Sequence, residues 1–151
     1  MLKYLLVYSL LSLTKNVDIV FGNVSGTSTP IMDPIGITGN KTDLGTSYTV
    51  GVFTLGGTDG VPVSVSYDAS VALADGAAGD DIIFTPDVAG HITAANQVDA
   101  AGVASESSVT LGPAGYTIWV GGNLGTLSNQ AVGDYTATLG AGLFTITVEY
   151  F

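Results

Sequence analysis

His91 is the one histidine of this 151-residue chain, and it limits the catalysis that the sequence could support. A Ser-His-Asp triad needs an imidazole base beside a nucleophile, yet no Gly-x-Ser-x-Gly elbow is present to hold a serine. The chain has no Cys and no Arg, which excludes thiol nucleophiles, zinc–thiolate sites and disulfides. Asp80 and Asp81 are adjacent, so on an extended chain they point apart and make a poor glycosidase pair. The sequence therefore predicts no enzyme activity and no cofactor.

Four aspartates around predicted turns are the candidates for metal binding. Calcium takes hard oxygen ligands from carboxylates and loop carbonyls, which this span offers. The Asp-x-Asp-x-Asp-Gly spacing of a calcium loop is absent, so a solvated acidic loop explains the same residues. Calcium is kept as a hypothesis beside that simpler interpretation. The candidate ligands are Asp75, Asp80, Asp81 and Asp87.

Aromatic side chains beside amides are what a carbohydrate-binding module or an adhesin would use. Trp119 stands four residues before Asn123, and Tyr4 and Tyr8 form a second pair. Exposed, coplanar rings would favour this function, whereas buried rings would favour a structural role. Carbohydrate is therefore the alternative ligand to consider.

The charge balance excludes two classes of partner. The chain has three lysines, Lys3, Lys15 and Lys41, and 13 acidic residues, so its net charge is −10. Nucleic acid is excluded because no basic patch exists to neutralise phosphates. An anionic membrane surface would repel the chain for the same reason.

The elements that must position these residues are short strands. Apolar and polar residues alternate through 61–67 and 144–150, and no 3.6-residue period is sustained. The pattern at the C-terminus predicts that positions 144, 146, 148 and 150 face the core and that the residues between them face out. Glycine-rich turns separate the candidate strands, which favours one all-β, antiparallel sandwich. The further strands are predicted at residues 14–21, 31–38, 47–55, 81–85, 107–111, 116–120 and 135–139.

Two segments carry more specific expectations. Residues 88–106 are rich in Ala, Gly and Asp with broken alternation, so they are predicted to form a long loop or an irregular edge hairpin. Gly133-Asp134-Tyr135 opens a strand in the manner of the tyrosine corner of Greek-key sandwiches. Tyr135 is therefore assigned a structural role, in which its hydroxyl fixes a crossover between the sheets.

A family resemblance extends over about residues 12–150. Ser12-Leu13-Thr14-Lys15 followed by Phe21-Gly22, then Tyr116-Thr117-Ile118-Trp119 and the C-terminal strand, resemble a family of bacterial secreted β domains of unknown function. That family is similar to spore coat protein U and to the archaic chaperone–usher pilins. The resemblance implies an immunoglobulin-like β-sandwich with Greek-key connections, located outside the cell or on its surface. It brings no active-site residues, and the missing Cys departs from the disulfide that is common in pilins.

Residues 1–11 stand apart from the domain at 12–151. A lysine followed by an apolar run is typical of a secretory signal, although no small-x-small cleavage site follows closely. The same run could instead pair within its own sandwich or, by inserting into a neighbour, serve as a donor strand. We therefore expect a structural coat, fimbria or pilus-type subunit that forms a homo-oligomer or filament. The residues expected to drive self-association are Leu5, Leu6, Val7, Leu10 and Leu11.

Overall fold

Two antiparallel sheets packed face to face make up the fold. The computed structural model describes residues 9–24, 26–36, 39–74, 81–128, 130 and 144–151. Over these residues the structure consists of β-strands joined by turns and loops, with one short 3₁₀ turn, η1, at Gln97–Asp99. The strands are β1 Ser12–Val17, β2 Ile31–Met32, β3 Lys41–Thr42, β4 Gly51–Gly56, β5 Pro62–Tyr67, β6 Val71–Leu73, β7 Ile82–His91, β8 Ala101–Gly102, β9 Ser107–Thr110, β10 Tyr116–Asn123 and β11 Ile146–Tyr150.

The larger sheet is built around β10, which pairs with β4 on one side and with β7 on the other. Strand β1 pairs with the other side of β4 and forms an edge of the sheet. On the same side of β10 as β4, the end of β10 pairs with β2, and β2 pairs in turn with β3. The smaller sheet has the order β11-β5-β9. The chain passes repeatedly between the two sheets, as in β4 to β5 and β10 to β11, so the fold is the expected immunoglobulin-like sandwich with Greek-key connections.

The main core lies between the sheets and follows the two-residue period of the strands. Ile118 and Val120 of β10 are fully buried against Val63 and Val65 of β5 in one cluster. The predicted register of residues 144–150 is confirmed: the even-numbered side chains pack on this core, and the odd-numbered ones are exposed. A slip by one residue would bury the Glu149 carboxylate without a partner.

A second, smaller cluster covers the outer face of the larger sheet. Trp119 points away from the main core and packs with Ala89 and Ala100, flanked by Ile35 and Val52. The predicted irregular edge hairpin at residues 88–106 is confirmed, because the end of β7 pairs with β8, which has no other partner among the described residues. The second cluster explains why the strand predicted at 81–85 ended too early. Strand β7 continues to His91, and because Val88 and Ala89 are buried on opposite faces, the sequence shows no alternation there.

Other sequence expectations shift by a few residues. The first predicted strand begins earlier, at Ser12, and the strand near residue 31 is only two residues long. The predicted strand at 135–139, with Tyr135, lies outside the described residues. In the described part of the chain, no helix has the length and apolar character needed to cross a bilayer.

Candidate functional site

His91 ends strand β7 and sits on the outer face of the larger sheet, opposite Thr117. Its Nδ1 accepts a hydrogen bond from the Thr93 backbone N–H at 3.0 Å. Within the ranges that the structure describes, no hydrogen bond joins this imidazole to a serine hydroxyl or a carboxylate. The His91 ring therefore takes part in a local turn with Thr93.

The described calcium candidates, Asp81 and Asp87, lie six residues apart on one extended stretch of chain. At ~3.3 Å per residue they are roughly 20 Å apart, far beyond the reach of a single ion. No group of three or more metal-ligating side chains occurs among the described residues, and Asp75 and Asp80 lie outside them. Partial burial, and then the charge of Asp33, raise the pKa of the Asp87 carboxyl.

The one ring of the proposed carbohydrate platform that the structure describes, Trp119, is not presented to solvent. Trp119 is only 4% exposed. Asn123 uses its Oδ1 to accept the Gly125 backbone N–H at 3.2 Å, which shapes its own turn. Tyr4 and Tyr8 lie outside the described residues. By the criterion of ring exposure, Trp119 is a packing residue.

Two strand edges meet at one side of the sandwich. Strand β1 pairs only with β4, and β11 pairs only with β5, as far as the described ranges extend. Leu11 and Leu13 from the first edge and Val148 from the second are half-buried against the main core. We call this region, residues 9–13 together with β11, the seam.

The seam is closed at one end by a hydrogen-bonded clamp between Ser9, Thr58 and Tyr150. The Tyr150 hydroxyl donates to the Ser9 carbonyl at 2.9 Å and accepts the Thr58 backbone N–H at 3.0 Å. The Ser9 backbone N–H donates to Thr58 Oγ1 at 2.7 Å. Next in the chain, Leu10 is 90% exposed, whereas Leu11 packs on the core of its own domain. Of the self-association residues, Leu5, Leu6 and Val7 lie outside the described residues.

Substitution of Tyr150 by Phe tests the clamp. Because the variant lacks the hydroxyl that holds Ser9 and Thr58, we expect faster hydrogen exchange at the Thr58 amide and earlier proteolysis near residue 9. The matched control is Tyr67→Phe, which removes a hydroxyl bonded to the Val103 carbonyl at 2.8 Å elsewhere in the sandwich. Equal exchange at Thr58 in the two variants would contradict the clamp.

An open groove of about 780 Å³ lies on the outer face of the larger sheet, at the far end of β1. Its rim carries Val17, Tyr48 and Val98, which are 38%, 40% and 47% exposed. Its floor includes Val52 and the edge of Trp119. Sequence reasoning missed this groove because its residues come from five separate stretches of the chain. We call it the outer groove.

The family model for a domain of unknown function, DUF4402, matches residues 11–150. The match spans nearly all of the sandwich and begins just after the exposed Leu10. The chain therefore belongs to this family. No curated protein matches the chain. No solved structure matches it either.

Proposed function

We propose that this DUF4402 domain is a structural subunit of a bacterial coat or pilus-type filament, exported to the cell surface, which acts by self-association through its strand edges. The observation that supports it most is the start of the domain, where the clamped Ser9 is followed by the 90% exposed Leu10. The eight residues before Ser9 contain seven apolar side chains. An apolar stretch of sequence therefore precedes a residue that is held at the seam.

The energetics of that segment favour a partner. Burying a Leu or Val side chain stabilises by about 1.5–3 kcal/mol, so several such residues left in water are costly. An exposed apolar strand beside a sheet edge also promotes association of chains. Insertion into a neighbouring copy gives the segment a buried environment and joins one subunit to the next.

The edge strand β1 is protected against unselective pairing. Its register shifts between Lys15 and Val17, which marks a bulge, and the Lys15 ammonium pairs with the Asp18 carboxylate on the surface. Bulges and lysines of this kind prevent sheets from adding edge to edge. A subunit built this way associates through a dedicated segment, consistent with the resemblance to spore coat and pilus subunits.

The test is a full-length variant in which Leu5, Leu6 and Val7 are all replaced by Ser. We expect the assembly to dissociate into monomers that melt at nearly the same temperature, because the proposal places these residues in a neighbouring copy and not in their own sandwich. Light scattering and electron microscopy measure assembly, and circular dichroism measures melting. The structure also fixes where a truncation should stop: removal of residues 1–8 spares Ser9 and Leu11, which bind their own domain.

The control for this variant is Ile83→Ser, which changes another exposed apolar residue on the surface of β7. It should assemble as the unaltered chain does. If the triple Ser variant assembles as well as the control, the segment has no part in association and the proposed function is wrong.

A further inference from the structure

We infer that the outer groove of one copy binds the apolar residues 1–8 of a second copy. This inference rests on the self-association of the proposed function, and it places the receiving surface on the outer face of the larger sheet instead of at a strand edge. The apolar side chains of the segment would be bound by side chains on the outer face of the larger sheet, at the end of β1 where Val17 lies.

The seam is not available as the receiving surface, because the chain fills it with its own residues. Leu11 and Leu13 pack on the main core from β1, and Tyr150 holds Ser9 from the opposite edge. A second strand entering there would have to displace these contacts. The outer groove, by contrast, leaves Val17, Tyr48 and Val98 between 38% and 47% exposed around one depression.

The chemistry of the outer groove suits an apolar occupant. Gln97 Nε2 donates to the Pro34 carbonyl at 2.6 Å, and Lys41 Nζ donates to the Gly36 carbonyl, also at 2.6 Å. Both side chains donate hydrogen bonds to carbonyls of their own chain. A ligand rich in hydroxyl groups would therefore find few hydrogen-bond partners in the groove. Valine and aromatic surface remains, which matches the Leu, Val and Tyr side chains of residues 1–8.

Chain length argues against binding of the segment to the outer groove of its own subunit. It starts at the clamped Ser9, whereas Val17 lies eight residues further along the strand, roughly 26 Å away at ~3.3 Å per residue. Eight extended residues span at most ~29 Å, and reversing the chain at Ser9 would use several of them. The segment therefore binds a neighbour, and each copy both offers a segment and receives one.

The charge distribution favours the same pairing. Residues 1–8 contain Lys3 and no acid, whereas the rest of the chain holds all 13 acidic residues and only two lysines. Two whole domains repel each other, but the segment is attracted to any neighbouring domain.

Cross-linking between two copies tests the inference directly, because the chain has no Cys and therefore no background. One copy carries Leu6→Cys and a second, of different mass, carries Val98→Cys. After mixing and mild oxidation we expect a disulfide-linked heterodimer. The control replaces Val98→Cys by Ile83→Cys, which is similarly exposed at 49% but outside the outer groove. We expect at least about tenfold less product from the control.

A charge substitution supplies the second measurement. Val98→Asp should raise the dissociation constant of the assembly at least about tenfold, while Ile83→Asp leaves it unchanged. If the triple Ser variant of residues 5–7 dissociates but both cross-links form equally and Val98→Asp assembles normally, the outer groove is wrong and the proposed function stands. If the triple Ser variant still assembles, both are wrong.

Discussion

Gly121→Ala should lower the free energy of unfolding by about 3 kcal/mol or more. A Cβ at Gly121 would overlap the Met32 carbonyl oxygen and lie 2.9 Å from its carbon and 3.0 Å from the Pro34 nitrogen. All of these are backbone atoms, so no side chain can rotate to make room. Urea denaturation followed by circular dichroism measures the loss.

The matched control is Gly102→Ala in strand β8. An added Cβ there has nothing within 4 Å, so the same chemical change should leave stability within about 0.5 kcal/mol of the unaltered chain. Equal stabilities for the two variants would show that β2 and β10 are not packed as closely as described.

Trp119→Ala should cost about 3–5 kcal/mol, because it removes the largest side chain of the outer cluster and leaves a cavity over the larger sheet. Ala89 and Ala100 are too small to refill the space. The loss should be accompanied by faster hydrogen exchange in η1, which Trp119 helps to hold against the sheet.

Trp119→Phe is the conservative variant, since it retains an aromatic ring at the same position. We expect it to keep more than half of the stability that Trp119→Ala loses, as measured by the same denaturation. A loss below about 1 kcal/mol for Trp119→Ala would mean that the indole is not a packing residue, and would revive the carbohydrate hypothesis.

The sequence predicts the register of a strand correctly where one face of that strand is buried and the other is exposed to water. Residues 144–150 alternate because their odd-numbered side chains are exposed, and the resulting register was correct. Strand β7 was cut short in the prediction because its second half is covered on both faces, by the main core at Val88 and by Trp119 at Ala89. Burial on both sides removes the pattern on which the prediction depends.

The candidate sites were harder to predict, because they depend on contacts between distant parts of the chain. Val17 and Trp119 line one groove across 102 positions of sequence, and no local motif marks either. The clamp joins Ser9 to Tyr150 through hydrogen bonds that leave no trace in the alternation. What the sequence did indicate was the apolar excess before Ser9, since composition alone reveals it.

The pairing of early strands with late ones determines when the molecule can fold. The central strand β5 of the smaller sheet receives one of its neighbours only when β11 arrives, about 80 positions later, and the clamp spans 141 positions. Such long loops must be closed before the contacts stabilise them, which places folding in the millisecond-to-second range. A chain that is synthesised or exported from its N-terminus therefore keeps the apolar face of β5 incompletely covered until its last strand is delivered, and then folds as one unit.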